Sequence, residues 1–193
     1  MAAAPTTQRI TTAARRLLDK EGADAVTMRR VANAVGITPM AVYRHYPNRA
    51  GLLNALADAG FDELAARLAE VCGAGDIEKR LAKILNIYLE HALQNPRLFE
   101  LMFLTQREGA RRYPQDFKAG RSPTANPMIE LIQEGMKIGY FREDEAWEIV
   151  FEMGALLQGL VMLYLGGRMA VSPARFRAFC HRSFWRYIHG IRN

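Results

Sequence analysis

Apolar residues recur along this chain at spacings of three and four, and almost nowhere at a sustained spacing of two. That period belongs to helices with one buried face, whereas a half-buried strand alternates. Ile10, Ala13, Ala14, Leu17 and Leu18 form a first stripe, closed by Gly22, a residue suited to a helix C-terminus. Thr27 can cap a short second helix whose inward face is Val31, Ala32 and Val35, ended by Gly36. Thr38 and Pro39 start a third, reaching Tyr46: the hydroxyl caps free amides, and proline at the first helical position forfeits no hydrogen bond. Pro47 ends it, and Asn48 caps a fourth helix that runs towards Val71.

The Cys72-Gly-Ala-Gly75 stretch breaks the pattern. Helices are then predicted over 76–93, 96–108 and 126–138, with 109–124, rich in proline and basic residues, as a mobile connection. The two most apolar helices come last, over 144–165 and 172–188. No repeat or low-complexity tract interrupts them. The fold class is therefore all-α: three short helices, a long linking helix and a bundle of about five.

Charge changes the picture through its distribution. Arg9, Arg15, Arg16, Lys20, Arg29, Arg30, Arg44 and Arg49 stand against Asp19, Glu21 and Asp24 in the first 55 residues, so nearly all of the net +6 sits there. A basic end on a near-neutral body suits a polyanionic partner. Two distant cysteines, Cys72 and Cys180, make no disulfide framework and no metal pattern, and fit a reducing cytoplasm. Residues 1–5 lack the basic start and apolar run of a secretory signal, and the apolar stretch 155–166 is shorter than the ~20 residues that span a bilayer. No membrane association is expected.

The segments Thr27–Val35 and Thr38–Tyr46, joined at Gly36, make a helix-turn-helix. Ala32 and Ala34 are small enough for close helix approach, Gly36 tolerates the positive φ of a sharp turn, and Ile37 and Val42 can plug the unit onto Leu17 and Leu18. The second helix is then free to enter a DNA major groove. The run Thr27-Met-Arg-Arg-Val-Ala-Asn-Ala-Val-Gly-Ile-Thr38, followed by Val42-Tyr-Arg-His-Tyr-Pro-Asn-Arg49 and Leu52-Leu53, resembles the TetR family of bacterial transcription regulators. The resemblance covers residues 8–55, and beyond residue 60 only the helical layout agrees.

That resemblance implies a DNA-binding domain over 1–55 and a ligand-binding and dimerisation domain over 56–193, in a cytoplasmic homodimer. It also implies a repressor that leaves a palindromic double-stranded DNA operator when a small apolar or amphipathic effector binds. By position, Thr27 caps and touches phosphate, and Arg29 reaches a base edge or the backbone. Thr38, Pro39, Met40, Ala41, Tyr43 and Arg44 belong to the groove-facing helix, with Tyr43 and His45 at phosphate-binding positions and Arg49 placed for a further phosphate. Arg29, Tyr43, His45 and Arg49 are expected to be exposed and to act on DNA, not on folding. Tyr46 matches a core position. Two departures stand out. Pro39-Met40 makes the groove-facing tip apolar, suited to thymine methyls, and Ala50-Gly51 replaces the acid that the family favours at the start of helix four.

In the remainder, Gly154, Leu156 and Gly159 on the penultimate helix and Phe176, Cys180, Phe184 and Tyr187 on the last are expected to form an isologous four-helix interface. Leu101, Met102, Met128, Ile132, Met136, Trp147 and Phe151 are candidates for an apolar ligand pocket. No His-Glu-x-x-His, glycine-rich phosphate loop or Gly-x-Ser-x-Gly is present, so no catalytic residue, metal or cofactor is expected. Two alternatives keep the same fold: an activator, or a constitutive or nucleoid-type DNA binder. A helical adaptor for protein partners is a third, and it leaves the basic helix-turn-helix unexplained.

Overall fold

The computed structural model describes residues 5–71 and 75–193; Cys72 and the two residues after it, where the sequence pattern breaks, lie outside the described residues. Among the described residues are ten α-helices and, in place of any sheet, one isolated bridge between Phe141 and Arg192. The all-α expectation holds. The helices sort into two units, one of residues up to Phe61 with Gln94–Ala110, the other of Asp62–Leu93 with Arg111–Asn193.

The first unit contains α1 (Thr6–Glu21), a 3₁₀ turn over Ala23–Ala25, α2 (Met28–Val35), α3 (Pro39–Tyr43) and the opening part of α4 (Arg49–Ala69). Its core is the product of the predicted stripes: Ile10, Ala14, Leu18, Val31, Ala32, Val42 and Leu52 are all completely buried. Gly36 adopts φ 75°, the left-handed value that closes α2. Of the two alanines expected to admit close packing, only Ala32 is buried; Ala34 faces outward. The third helix stops three residues short of Tyr46. The Val42 carbonyl accepts from both His45 and Tyr46 amides at 3.0 Å, a tight turn ahead of Pro47, which disfavours a helical residue before it.

This unit also includes α6 (Pro96–Phe103), which packs on α1. Leu98 is fully buried there, and the Arg15 guanidinium donates to the Asn95 side chain at 2.7 Å. A methyl group at Gly60 would come within 2.7 Å of the Met102 sulfur and 2.9 Å of Leu98, so α4 and α6 approach as closely as a hydrogen side chain allows. The packing unit thus reaches past residue 55 and recruits a helix from much later in the chain.

The second unit holds α5 (Ile77–Gln94, up to Leu93), α7 (Gln115–Lys118), α8 (Asn126–Lys137), α9 (Ala146–Leu165) and α10 (Pro173–Gly190). Leu81, Leu85, Leu89, Ile132, Val161, Phe176 and Phe184 form its buried centre. Arg80, nearly buried, donates to both Glu134 oxygens at 2.7 Å and so ties α5 to α8. The segment 109–124 is a folded element. Asp116 accepts the Arg112 amide at 2.6 Å and pairs with Arg121 at 3.1 Å, while the Asn126 amide donates to the Gly120 carbonyl at 2.8 Å.

Candidate nucleic-acid interface

Both helices of the motif are capped as their sequence demands. The Thr27 hydroxyl oxygen accepts the Arg30 amide at 3.2 Å, and that of Thr38 accepts the Ala41 amide at 3.2 Å, with Pro39 at the first helical position. Each cap stabilises its helix by about 1 kcal/mol. Val42 turns inward, so the other side of α3 is presented outward: Thr38, Pro39, Met40, Tyr43, Arg44 and His45 are exposed and Ala41 is half-buried. Met40 is 66% exposed and Tyr43 46%.

The cations divide into those spent on the fold and those left open. Arg9 donates to the Val35 carbonyl at 2.7 Å, tying α1 to the end of α2. Arg30 forms a two-pronged pair with Glu21 at 2.8 and 2.9 Å, which holds that carboxyl below its ordinary range. Arg29 and Arg44 are exposed, and among the described residues their side chains have no ion-pair or hydrogen-bond partner. His45 shares a 2.9 Å hydrogen bond through Nδ1 with the Thr7 hydroxyl, which leaves its Nε2 edge for another group. Thr7 escaped the sequence reading because it lies 38 residues from His45, with no local signal linking them. Tyr46 is half-buried, and burial raises its phenol pKa, in keeping with a packing role.

Arg49 departs from its expectation. Its guanidinium is half-buried and donates to the Val26 carbonyl at 2.8 Å and the Ala23 carbonyl at 2.6 Å, stitching the start of α4 to the turn before α2. A role confined to DNA does not fit these bonds. Arg49→Ala should therefore cost about 1–2 kcal/mol and lower the melting temperature by roughly 2–8 °C, measurable by circular dichroism without DNA. An unchanged melting temperature would return Arg49 to a purely external role. At Gly51 the helix start is compensated by Asn48, whose Oδ1 accepts the Gly51 amide at 2.7 Å.

The residues named for a ligand pocket are distributed over both units. Leu101 and Met102 are buried in the first unit, whereas Met128 and Ile132 are buried in the second, with Met136, Trp147 and Phe151 half-buried there. Trp147 and Phe151 join Tyr113 in a ring cluster, with centroids 5.6 and 4.4 Å from the tyrosine, and Phe117 lies 5.0 Å from Phe151. A groove of about 520 Å³ in the second unit is lined by Ala65, Ala66, Ala69, Pro123, Asn126, Pro127 and Glu130, none of them among the seven.

The interface expectation needs a correction on α10. Phe176, Cys180 and Phe184 are completely buried within the chain itself, so they cannot cover a second copy. Burial also raises the Cys180 thiol to about 11. The spacing of four that suggested a docking stripe is the core-facing side of the helix. Tyr187 differs from these three: it is half-buried and donates to Glu152 of α9 at 2.7 Å. The open apolar surface lies on α9 instead. Gly154, Leu156 and Gly159 are half-buried, a methyl at either glycine would meet nothing within 4 Å, and Met162, Leu163 and Leu165 are 45%, 43% and 40% exposed. By length and composition alone α9 is long and apolar enough to cross a membrane, a test that the core helix of a soluble protein also passes.

Residues 10–56 match the family of bacterial regulatory proteins of the tetR type, and residues 81–190 match the tetracyclin repressor-like C-terminal domain. The chain belongs to the TetR family. It is a DNA-binding transcriptional regulator of that family, with a helix-turn-helix domain and a C-terminal domain of the kind that binds ligands. Among relatives, the nucleoid occlusion factor SlmA of Sodalis glossinidius is 28% identical over 138 residues, covering 70% of this chain and 68% of that protein. In other relatives of that name the match covers less than half of either chain. A protein of unknown function from Rhodococcus sp. RHA1 superposes with a TM-score of 0.78 at 24% identity, over 99% of this chain and 97% of the other. The fatty acid degradation regulator FadR from Bacillus halodurans gives a TM-score of 0.73 at 18% identity, over 96% and 99%.

Proposed function

We propose that this TetR-family chain is a homodimeric repressor that holds a palindromic operator and leaves it when a small apolar or amphipathic molecule binds its C-terminal domain. The observation that carries the DNA reading is the outward side of α3 with the two uncommitted arginines beside it, Arg29 and Arg44. Thr27, Thr38 and Ala41 shape that surface, Arg29 and Arg44 supply charge, and Tyr43 and His45 offer phosphate donors at its edge. The open α9 surface of Gly159, Met162 and Leu163 supports pairing with a second copy, because large exposed apolar patches on one helix are costly in water. Two-fold pairing would set the recognition helices about 34–36 Å apart, one turn of DNA.

Neutralising phosphates releases condensed counterions, so affinity for duplex DNA should fall steeply as salt rises. Arg44→Ala should weaken binding and lower the slope of log affinity against log salt by about one unit per half-site, with melting unchanged. A variant binding with the parent's slope would remove Arg44 from the interface. For the effector, linkage requires that any compound weakening operator binding itself bind the operator complex more weakly, by the same factor. A second reading, favoured by the name of the SlmA relatives, is a regulator that occupies many sites across the nucleoid. Crosslinking and sequencing of bound DNA separates the two: a few promoter-proximal peaks against a dispersed set.

A further inference from the structure

We propose that α3 reads its half-site chiefly through thymine 5-methyl groups, with the Met40 thioether as the specificity-determining contact and Pro39 and Ala41 flanking it. This rests on the DNA-binding reading above and names the base chemistry that this surface selects. The outward positions of α3 begin Thr38, Pro39, Met40, Ala41. The Thr38 oxygen is already an acceptor for the Ala41 amide. Pro39 and Ala41 carry only carbon beyond the backbone, and Met40 has one weakly accepting sulfur. No amide or carboxylate stands among them, so the bidentate pairing that asparagine or glutamine makes with adenine, and the acceptance from cytosine by an acid, have no agent here.

Apart from one bond that the Thr38 hydroxyl can still donate, the major-groove feature that such a surface selects is the thymine methyl, the one apolar group on the base edges. Met40 suits it. The residue is 66% exposed, and a flexible thioether adapts to the curvature of a methyl-lined groove. Exposure at this level is also unfavourable for an isolated methionine, and burial against a methyl relieves it. Arg29 and Arg44, both exposed with open side chains, flank the motif and supply charge-assisted contacts to guanine or phosphate. A half-site with thymines under the tip of α3 is the expected arrangement.

The test uses the full chain and a random-sequence duplex pool. The duplex that is enriched is resynthesised with deoxyuridine at the half-site thymines, which removes the methyls and leaves every hydrogen-bonding edge intact. Burial of one methyl is worth roughly a fourfold change in affinity, so the uracil duplex should bind about fourfold more weakly per methyl contacted. Met40→Gln should retain the parent's melting temperature, yet lose most of the preference for the thymine form over the uracil form. Equal binding of both forms by the parent chain overturns the proposal while leaving DNA recognition intact. Full methyl discrimination by Met40→Gln overturns the role of Met40. Failure to enrich any duplex overturns both this proposal and the operator reading beneath it.

Discussion

A chain carrying Met162→Glu and Leu163→Glu should run as a monomer in light scattering and lose roughly 10²–10⁴-fold in affinity for a two-fold operator. The loss follows from geometry: a dimer converts the second half-site contact into an intramolecular event, and a monomer forgoes that gain. The substitutions are chosen because both side chains are more than 40% exposed in the single chain, so charge there leaves the core alone. In an isologous interface each residue occurs twice, and four carboxylates deprived of water cost several kcal/mol per ion. Circular dichroism should show the helix content retained, and the melting temperature should lose its dependence on protein concentration. A dimer that survives both substitutions would move the interface away from α9.

The helices were legible in this sequence because their punctuation is local. Thr27, Gly36, Thr38-Pro39 and Asn48 act on amides and carbonyls within three or four residues, and each does in the structure what its residue type implies. The exposed tip of α3 followed from the same logic, since Val42 fixes which side faces in. Three things were not legible, each for want of long-range information. The side of α10 facing its own chain cannot be told from a side awaiting a partner by periodicity, because Phe176, Cys180 and Phe184 recur at helical spacing in either case. The commitment of Arg49 to the Ala23 and Val26 carbonyls depends on a turn more than 20 residues away. And α6 joins the first unit through Asn95 with Arg15 and through Leu98 and Met102 at Gly60, contacts that no pattern within α6 announces.

The association of α6 with the first unit also bears on signalling. Met102, which composition assigned to a ligand pocket, is packed beside Gly60 of α4 in the unit that carries α3. A change at α6 therefore needs no long route to reach the recognition helix, because both belong to one packed body. Packed bodies respond as wholes, since interiors at crystal-like density deform little.

Phe184→Ala should lower the stability of the chain by about 3–5 kcal/mol and its melting temperature by roughly 6–20 °C, and Phe176→Ala should do the same. Both rings are completely buried, and Phe176 additionally lies nearly parallel to Tyr164, 4.1 Å away, joining α10 to α9. Removing either leaves a cavity that surrounding side chains fill only in part. Below its melting temperature each variant should still dimerise, since the α9 surface is untouched. Trp185 serves as the contrast. It is half-buried, and Trp185→Ala should cost clearly less. Thermal denaturation followed by light scattering on the same samples decides between core and interface. Phe184→Ala giving a well-folded monomer of undiminished melting temperature would place that ring between two copies, and would overturn the assignment of α10's buried spine to the interior of one chain.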